Sequence, residues 1–340
     1  MHHPLSIENV AIVGATGTIG QTFLELYLNT TGKIPTLYGS QRSAGRKIFI
    51  RGHEMEILPF DENMARNHHY LLLFTGANFS SVWAQKLAKN NGYVIDCSGF
   101  FRNARNVPMV IPKINGAAAL ESGKNLICSP NCCTVLLLHS LWPLHGTLCL
   151  KKLFVSTYQS VSGSGKMGVA ALQEELAQPS YPLLVPSMNS PYSYPIAHNV
   201  IGAIGAVNAG GHSEEETNIR TESRRIMGLA CLPMDVCCVR VPIAHGHSMA
   251  VGAFFKKNFS LEEIRELFTQ SSLLKFCEET IPTPIQSLQS PLCSVGRLRR
   301  SFLHKRAINF WITADQRLFG TALNAFGIME LFAGEKIGGT

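Results

Sequence analysis

Residues 9–29, NVAIVGATGTIGQTFLELYLN, place a short apolar run, a glycine-rich turn and a helical pattern in immediate succession. Val10–Val13 has the continuous apolar character of a parallel strand that is buried on both faces. Glycines follow at positions 14, 17 and 20, and apolar residues between Phe23 and Tyr27 then recur at helical spacing. A strand, a glycine turn and a helix in this order predict the opening of a dinucleotide-binding unit, which holds a pyrophosphate on backbone N–H groups. The alternative is a tight turn that binds nothing.

The segment after the next predicted strand indicates which dinucleotide is bound. IPTLYGS, residues 34–40, runs into QRSAGRK, residues 41–47, which has no acidic residue where an NAD-selective site places Asp or Glu. It carries Arg42, Ser43 and further cations instead, and a cation there suits a 2′-phosphate. The sequence therefore predicts NADP, with an ordinary solvated basic loop as the alternative.

The rest of the chain predicts an α/β protein with two domains. Apolar strands and helices alternate up to about residue 130, as in a doubly wound, Rossmann-like parallel sheet. From residue 150 onward, longer strand patterns separated by helices predict a mixed or antiparallel sheet in an α+β domain. The last segment, residues 320–334, reads as a helix that returns to the first domain. We expect an NADP-binding domain from residues 1–130 with 321–340, and a catalytic and dimerisation domain from residues 131–320.

Composition excludes several classes of protein. The chain has 340 residues, of which 46% are hydrophobic and 16% charged, as in a well-packed globular protein. We expect no membrane segment and a cytoplasmic location, since the apolar runs are short and the N-terminus lacks a secretory pattern. The net charge of +7 is dispersed, so nucleic-acid binding is not expected. Ten cysteines without a CxxC pair suggest neither a disulfide framework nor a metal site.

One cysteine pair lies where chemistry is plausible. In CSPNCCTV, residues 128–135, Asn131 is a favoured helix cap, so Cys132 would lie in the first turn of a helix. The positive end of a helix dipole favours the thiolate, which is the nucleophilic form. Two small buried thiols are the alternative. A nucleophile also needs an acid–base partner, and His245 and His247 are both candidates on spacing alone.

Several motifs together carry a family resemblance. VGATGTIG, RSAGR, PNCCT, VSTYQSVSGSGK, YPIAHN and VRVPIAHGHS occur in this order, and with FFRNARNVPMVIPKIN they make the chain similar to bacterial aspartate-semialdehyde dehydrogenases over nearly its whole length. The resemblance implies NADPH-dependent reductive dephosphorylation of L-aspartyl 4-phosphate to L-aspartate 4-semialdehyde. That step serves lysine, diaminopimelate, methionine and threonine biosynthesis. It also implies a homodimer or a homotetramer.

The resemblance implies roles for individual residues. Cys132 is the nucleophile that forms a thioester, His247 is the acid–base residue, and Gln159 positions the substrate. His245 is then a bystander and Cys133 is structural. The implied substrate-binding set is Arg102 and Arg225 for phosphate, Arg240 for the carboxylate, Glu222 for the ammonium group, Asn131 for the phosphate or acyl oxygen, and Gln159. The implied cofactor-binding set is Gly14, Thr16, Gly17, Thr18, Ile19, Arg42, Ser43, Thr75, Gly76, Ser162, Gly163 and Asn324.

Two positions depart from the family pattern. Arg225 stands where the family usually has Lys, and Arg is larger and planar. Without the resemblance, Glu222 and Arg225 read as an exposed i, i+3 pair on a helix. The Pro- and Ser-rich segment from Ala177 to Tyr194 matches no family motif.

Three alternative functions remain open at this level. N-acetyl-gamma-glutamyl-phosphate reductase shares the fold and chemistry but usually has a PGCY-like cysteine motif. A cysteine hydrolase would use Cys132 and His247 without a cofactor. A non-catalytic NADP-binding protein would need neither residue.

Overall fold

The computed structural model describes residues 7–89, 92–178 and 183–335. The chain divides into two compact units, which are described separately. The first unit comprises Met1–Pro130 and Thr321–Thr340, and the second comprises Asn131–Gly320.

The strands and helices follow the expected change of pattern along the chain. The strands are β1 (Val10–Val13), β2 (Thr36–Gly39), β3 (Lys47–Ile50), β4 (His53–Pro59), β5 (Tyr70–Leu73), β6 (Tyr93–Asp96), β7 (Leu126–Cys128), β8 (Leu150–Gln159), β9 (Met234–Arg240), β10 (His247–Phe255), β11 (Leu274–Cys277), β12 (Cys293–Arg300) and β13 (Ala307–Ala314). The α-helices are α1 (Thr18–Thr31), α2 (Glu62–Ala65), α3 (Ala77–Leu87), α4 (Pro112–Glu121), α5 (Cys132–Leu148), α6 (Gly165–Leu176), α7 (Glu214–Ile226), α8 (Leu261–Gln270) and α9 (Leu323–Glu335).

The first unit is built on a seven-stranded sheet in the order β3-β4-β2-β1-β5-β6-β7. From β4 to β7 neighbouring strands run parallel, which confirms the predicted doubly wound sheet. One edge departs from it, because β3 pairs antiparallel with β4. Arg51 and Gly52 join these strands, and both have positive φ, 52° and 81°. Two such residues form the tight turn that a two-residue hairpin requires.

The C-terminal helix α9 packs within the first unit. The Phe326 ring lies 6.3 Å from the Phe23 ring of α1, and Phe332 lies 4.5 Å from Tyr93 of β6. Gly116 of α4 lets Leu331 approach closely, since a Cβ there would lie 3.1 Å from the leucine. The segment predicted to be helical thus helps to cover the parallel sheet.

The second unit is built on a six-stranded sheet in the order β11-β12-β13-β10-β8-β9. The β10–β13, β8–β10 and β12–β13 pairs are antiparallel, whereas β11–β12 and β8–β9 are parallel. The predicted mixed sheet is therefore confirmed. Gln159 pairs with Arg240, and Tyr158 pairs with Ser248. This register brings the ends of β8, β9 and β10 that carry Gln159, Arg240 and His247 to one edge of the sheet.

The apolar run after the cysteine pair forms the central helix of the second unit. Almost every residue of α5 from Cys133 to Leu141 is buried, so the helix is apolar around most of its circumference. Asn131 caps it, accepting a hydrogen bond from the Cys133 N–H at 2.7 Å. The predicted helix start at Cys132 is thereby confirmed.

Two segments of unusual composition also have described structure. Residues 183–195, which include most of the Pro- and Ser-rich segment, form no helix or strand, and residues 179–182 lie outside the described residues. The Glu175 carboxylate holds this part of the chain by accepting hydrogen bonds from the N–H groups of Ser187, Ile196 and Ala197. The densest group of basic residues, Arg297–Arg306, spans the end of β12 and the turn into β13.

None of the helices in the described ranges is both long enough and apolar enough to cross a bilayer.

Candidate active site

In the first unit, the glycine turn brings backbone atoms too close together for larger residues. Gly14 has φ of 93°, and a Cβ there would lie 2.4 Å from the Phe74 carbonyl oxygen. Gly20 allows α1 to start directly over this turn, since its Cβ would lie 2.3 Å from the Gly14 oxygen. The first glycine and the last therefore shape the turn itself.

Two other glycines begin helices at the carboxyl ends of neighbouring strands. Gly17 precedes α1 and Gly76 precedes α3, with the same backbone angles of φ −74° and ψ 162° and no side-chain cap. A Cβ at Gly76 would have nothing within 4 Å. The first-turn N–H groups therefore face an approach that a glycine keeps open, as a pyrophosphate requires. Around them lie the predicted contacts that are partly exposed, Thr16, Thr18, Ile19 and Thr75.

The predicted 2′-phosphate site lies in the turn after β2. Arg42 is exposed, and Ser43 is partly exposed with its hydroxyl 3.0 Å from that of Ser40. No acidic residue lies between Gly39 and Lys47. The turn thus offers a cation and hydroxyls, and lacks the carboxylate that would repel a phosphate.

Two further predicted residues of the first unit meet at Ser129. Arg102 donates from Nε to the Ser129 carbonyl oxygen at 3.1 Å. The Asn324 side-chain N–H₂ donates to the Ser129 hydroxyl at 2.9 Å and to the Val110 oxygen at 3.0 Å. The Asn324 Oδ1 atom is buried and has no hydrogen-bond partner among the described residues. A buried acceptor of this kind fits a ligand with an N–H donor.

In the second unit, α5 begins inside a polar cradle. The Asn131 N–H donates to Glu222 Oε2 at 2.7 Å, and the Asn131 side-chain N–H₂ donates to Glu215 Oε2 at 2.8 Å. Asn131 Oδ1 holds the Cys133 N–H. These bonds fix the first turn of the helix and with it the partly exposed Cys132.

His247 has a fixed hydrogen-bond arrangement. Its Nδ1 accepts from the Ser160 backbone N–H at 3.1 Å and lies 3.1 Å from the Ser160 hydroxyl. A backbone N–H can only donate, so the proton of the neutral ring lies on Nε2. The Nε2 atom is buried and has no partner among the described residues.

The cysteine pair and this histidine form one cluster. The sulfur atoms of Cys132 and Cys133 and a ring nitrogen of His247 all lie within 4.8 Å of one another. Such spacing could suit a metal ion. However, an Nε2 that carries a proton presents no lone pair to a metal, so the ring favours donation to an anion instead.

Gln159 and Arg240 lie at the same sheet edge. The Gln159 amide donates to Glu215 Oε1 at 3.2 Å. Arg240 is 4% exposed and donates from Nη1 to the Ser160 carbonyl oxygen at 2.7 Å. A Cβ at Gly163 would lie 2.7 Å from Arg240 Nη1 and 3.4 Å from His247 Nε2. The arginine and the histidine therefore meet beside the predicted cofactor residue Gly163.

The Gln316 side chain connects the loop before α6 to the loop that precedes His247. The Gln316 N–H₂ group donates to the Ser162 hydroxyl at 2.7 Å, and the Gln316 Oε1 atom accepts from the Gly246 N–H at 3.0 Å. The Ser162 hydroxyl in turn lies 3.2 Å from that of Ser160. This chain of buried groups fixes the surroundings of His247 and was not predicted, because nothing local in the sequence marks Gln316.

Two of the four acidic residues of α7, Glu215 and Glu222, lie at the candidate site. Glu222 is 2% exposed, so its interpretation as half of an exposed helical pair is wrong. Its carboxylate is bound to the Asn131 N–H instead. Glu215 lies two turns before Glu222 on the same face of α7. Its carboxylate contacts both Gln159 and Asn131, and Glu215 was not identified from the sequence. It is the second of three consecutive Glu residues, and only its spacing of seven from Glu222 could have separated it from the others.

Arg225, a predicted phosphate ligand, and His245, the alternative histidine, are both accessible to solvent in part. Arg225 is partly exposed in the last turn of α7. His245 is also partly exposed, and burial together with the positive charge of Arg317 lowers its pKa.

Comparisons with known proteins agree with this architecture. A family model for the NAD-binding domain of semialdehyde dehydrogenases matches residues 9–122, and one for their dimerisation domain matches residues 141–319. The two matches define a semialdehyde dehydrogenase, an oxidoreductase with an NAD(P)-binding domain, and the second indicates an oligomer.

Individual relatives narrow the class. An aspartate-semialdehyde dehydrogenase of Helicobacter pylori is 32% identical over 94% of this chain and 96% of its own. The structure of aspartate semialdehyde dehydrogenase II from Vibrio cholerae, complexed with ASA, is 29% identical with a TM-score of 0.90, covering 96% of this chain and 98% of that one. The Candida albicans enzyme with NADP is 19% identical with a TM-score of 0.75, covering 98% and 100%, and shows the shared fold alone. The chain belongs to the aspartate-semialdehyde dehydrogenase family.

Proposed function

We propose that this protein catalyses the NADPH-dependent reductive dephosphorylation of L-aspartyl 4-phosphate to L-aspartate 4-semialdehyde, through a thioester on Cys132. One observation carries the chemistry. The Cys132 sulfur lies in the first turn of α5, within 4.8 Å of a ring nitrogen of a histidine whose neutral tautomer is fixed by Ser160. Family membership supports the substrate and its place in lysine, diaminopimelate, methionine and threonine biosynthesis.

The first unit is the NADP-binding domain in this proposal. The helix N-termini at Gly17 and Gly76 suit the pyrophosphate, and Arg42 with Ser43 suits the 2′-phosphate. The unpartnered Asn324 Oδ1 suits the carboxamide of the nicotinamide. The family resemblance also implies a cofactor role for Ser162 and Gly163 of the second unit. When bound, the cofactor supplies hydride to the acyl carbon.

The second unit carries out the covalent chemistry. The Cys132 sulfur attacks the acyl carbon, a carbon–sulfur bond forms, and the bond to the phosphate oxygen breaks. The His247 Nε2–H donates a hydrogen bond to the oxygen of the reacting carbonyl. Hydride addition leaves a negative charge on that oxygen, and the same Nε2–H group stabilises it. Collapse of this oxyanion re-forms the carbonyl, breaks the carbon–sulfur bond, and releases the aldehyde and the Cys132 thiolate.

Charged groups of the site match those of the substrate. Arg240 offers a planar fork for the α-carboxylate, and Arg102 and Arg225 are the proposed phosphate cations. Gln159 and Asn131 orient the acyl group. Glu222 is the proposed acid for the ammonium group, and its Oε2 atom also accepts from the Asn131 N–H. Glu215 uses both carboxylate oxygens to hold the side chains of Asn131 and Gln159.

We further propose a cytoplasmic enzyme that assembles as a homodimer, or as a homotetramer built from two dimers, with a small-molecule substrate and no nucleic-acid or membrane partner. The second unit would then be the catalytic and dimerisation domain.

The test is the reverse reaction. NADPH formation from aspartate semialdehyde, NADP and phosphate is followed at 340 nm for the wild type and for Cys132→Ala. The expected result is phosphate-dependent turnover that falls by about 10⁴-fold or more in the variant. Turnover only with N-acetylglutamate semialdehyde would show that the substrate is the N-acetylglutamyl compound. Equal turnover in the variant would show that Cys132 is not the nucleophile. NADP binding without turnover of either aldehyde would indicate a non-catalytic NADP-binding protein.

A further inference from the structure

The residue after the proposed nucleophile is a second thiol close to it. Cys132 and Cys133 are the first two residues of α5, and their sulfur atoms lie within 4.8 Å of each other. Cys132 is partly exposed, whereas Cys133 is 0% exposed. One sulfur of the pair is therefore accessible, and the other is enclosed by the protein.

The surroundings of Cys133 keep it protonated. Burial is the largest effect that raises the pKa of the Cys133 thiol well above its usual range, followed by the hydrogen bond to Cys132. The nearby groups of other elements act in the same direction, since Glu215 of α7 and Cys238 of β9 would both oppose a negative charge on Cys133. A thiol that stays protonated is a permanent, weak S–H donor.

Cys132 is placed to accept that hydrogen bond when it is a thiolate. A ring nitrogen of His247 of β10 lies within 4.8 Å of both sulfur atoms, and the ring carries its proton on Nε2. Arg240 of β9 and this ring both border Gly163. The buried Cys133 thiol is a second donor within the same distance of the Cys132 sulfur. Two donors would hold the thiolate in one orientation.

We propose that Cys133 is a positioning residue whose buried S–H group donates a hydrogen bond to the Cys132 thiolate, orienting the nucleophile and stabilising its charge. This inference rests on the proposed function, because it assigns the nucleophile to Cys132. It goes beyond it by replacing a purely structural interpretation of Cys133 with a role in forming the reactive thiolate.

Two substitutions separate the hydrogen bond from packing. Cys133→Ser keeps a donor of similar size, and Cys133→Ala removes the donor. Cys293→Ala is the matched control, since Cys293 is another fully buried cysteine, in β12 of the same unit. The measurement is the rate of Cys132 alkylation by iodoacetamide from pH 5 to pH 10, read by mass spectrometry, with the exposed Cys231 as internal reference.

We expect the midpoint of the Cys132 profile to rise by about one pH unit in Cys133→Ala, which lowers the thiolate fraction about tenfold below the midpoint. Cys133→Ser and Cys293→Ala should keep the wild-type midpoint. Equal midpoints in wild type and Cys133→Ala, in protein that melts cooperatively, would overturn the proposal, and so would a shift of equal size in Cys293→Ala. The readout needs no turnover, so it stays informative if the enzyme proves inactive with aspartate semialdehyde. Failure of the proposed function would appear in the NADPH assay instead.

Discussion

The proposed site at the glycine turns of the first unit is made of backbone groups, whereas the cysteine cluster of the second unit is made of side chains. The former presents backbone N–H groups at Gly17 and Gly76, kept accessible because no side chain is there. The latter is made of side chains, among them the buried Cys133 and His247, and the His247 ring is held by the Ser160 N–H. The backbone site is therefore sensitive to added atoms, and the side-chain site is sensitive to removed ones.

A pair of glycine substitutions tests the first half of this comparison and should have the largest effect on the fold. Gly14→Ala forces φ of 93° on a residue with a Cβ that would lie 2.4 Å from a carbonyl oxygen. We expect a loss of about 3 kcal/mol in the free energy of unfolding, or failure to fold. Gly76→Ala has ordinary backbone angles and open space, so its melting temperature should match the wild type.

Gly76→Ala should nevertheless weaken NADP binding by about tenfold, because the added methyl stands where the phosphates approach the α3 N-terminus. Titration calorimetry with NADP measures it. Unchanged affinity would mean that α3 does not contact the cofactor, and a lower melting temperature would mean that Gly76 is structural.

Arg240→Lys tests the side-chain site of the second unit, because it retains the positive charge and removes the planar guanidinium group. Arg240 is almost fully buried, and one of its N–H groups is already used on the Ser160 oxygen. Lysine cannot serve that oxygen and a carboxylate in one plane, so KM for aspartate semialdehyde should rise about 30-fold with a smaller change in kcat. Arg265→Lys, on α8, is the control. An unchanged KM would place the substrate carboxylate elsewhere.

Arg42→Ala has a moderate expected effect, confined to the choice of cofactor. Removing the cation after β2 should raise KM for NADP by about tenfold and leave KM for NAD unchanged. Lys33→Ala removes an exposed cation of the same unit and serves as control. Equal losses with both dinucleotides would show that Arg42 does not contact a 2′-phosphate.

The smallest expected effect concerns how the stability of the fold at acid pH depends on the Asp315–Arg317 ion pair after β13. Burial alone would raise the pKa of Asp315, but the hydrogen bond and charge of Arg317 outweigh it and lower that pKa below 3.8. A lowered pKa in the folded state stabilises the protein above the ordinary value, and the stabilisation is lost as pH falls through the folded value. Arg317→Met should therefore lower the melting temperature by a few degrees at pH 7 and by less below about pH 3.5. A gap that is constant with pH would contradict this.

The two sites also differ in how far the sequence predicts them. The glycine turn, α1 and the Asn131 cap depend on residues a few positions apart, so local patterns were sufficient. Gln316 and Glu215 could not be found this way, because they act on groups brought together by strand register and helix packing. The β3–β4 hairpin was missed because Arg51-Gly52 is not among the strongest turn sequences. The Cys132–His247 pair was predicted through family resemblance, and spacing alone had left His245 equally eligible.

The central claim is the thioester on Cys132, and trapping it is the most direct measurement. Enzyme is mixed with aspartate semialdehyde and NADP without phosphate, quenched in acid and digested. The mass of the peptide that contains Cys132 is then measured by mass spectrometry. We expect a burst of NADPH near one equivalent per active site and an aspartyl adduct on Cys132. An adduct on another cysteine, or NADPH formation without any adduct, would contradict it.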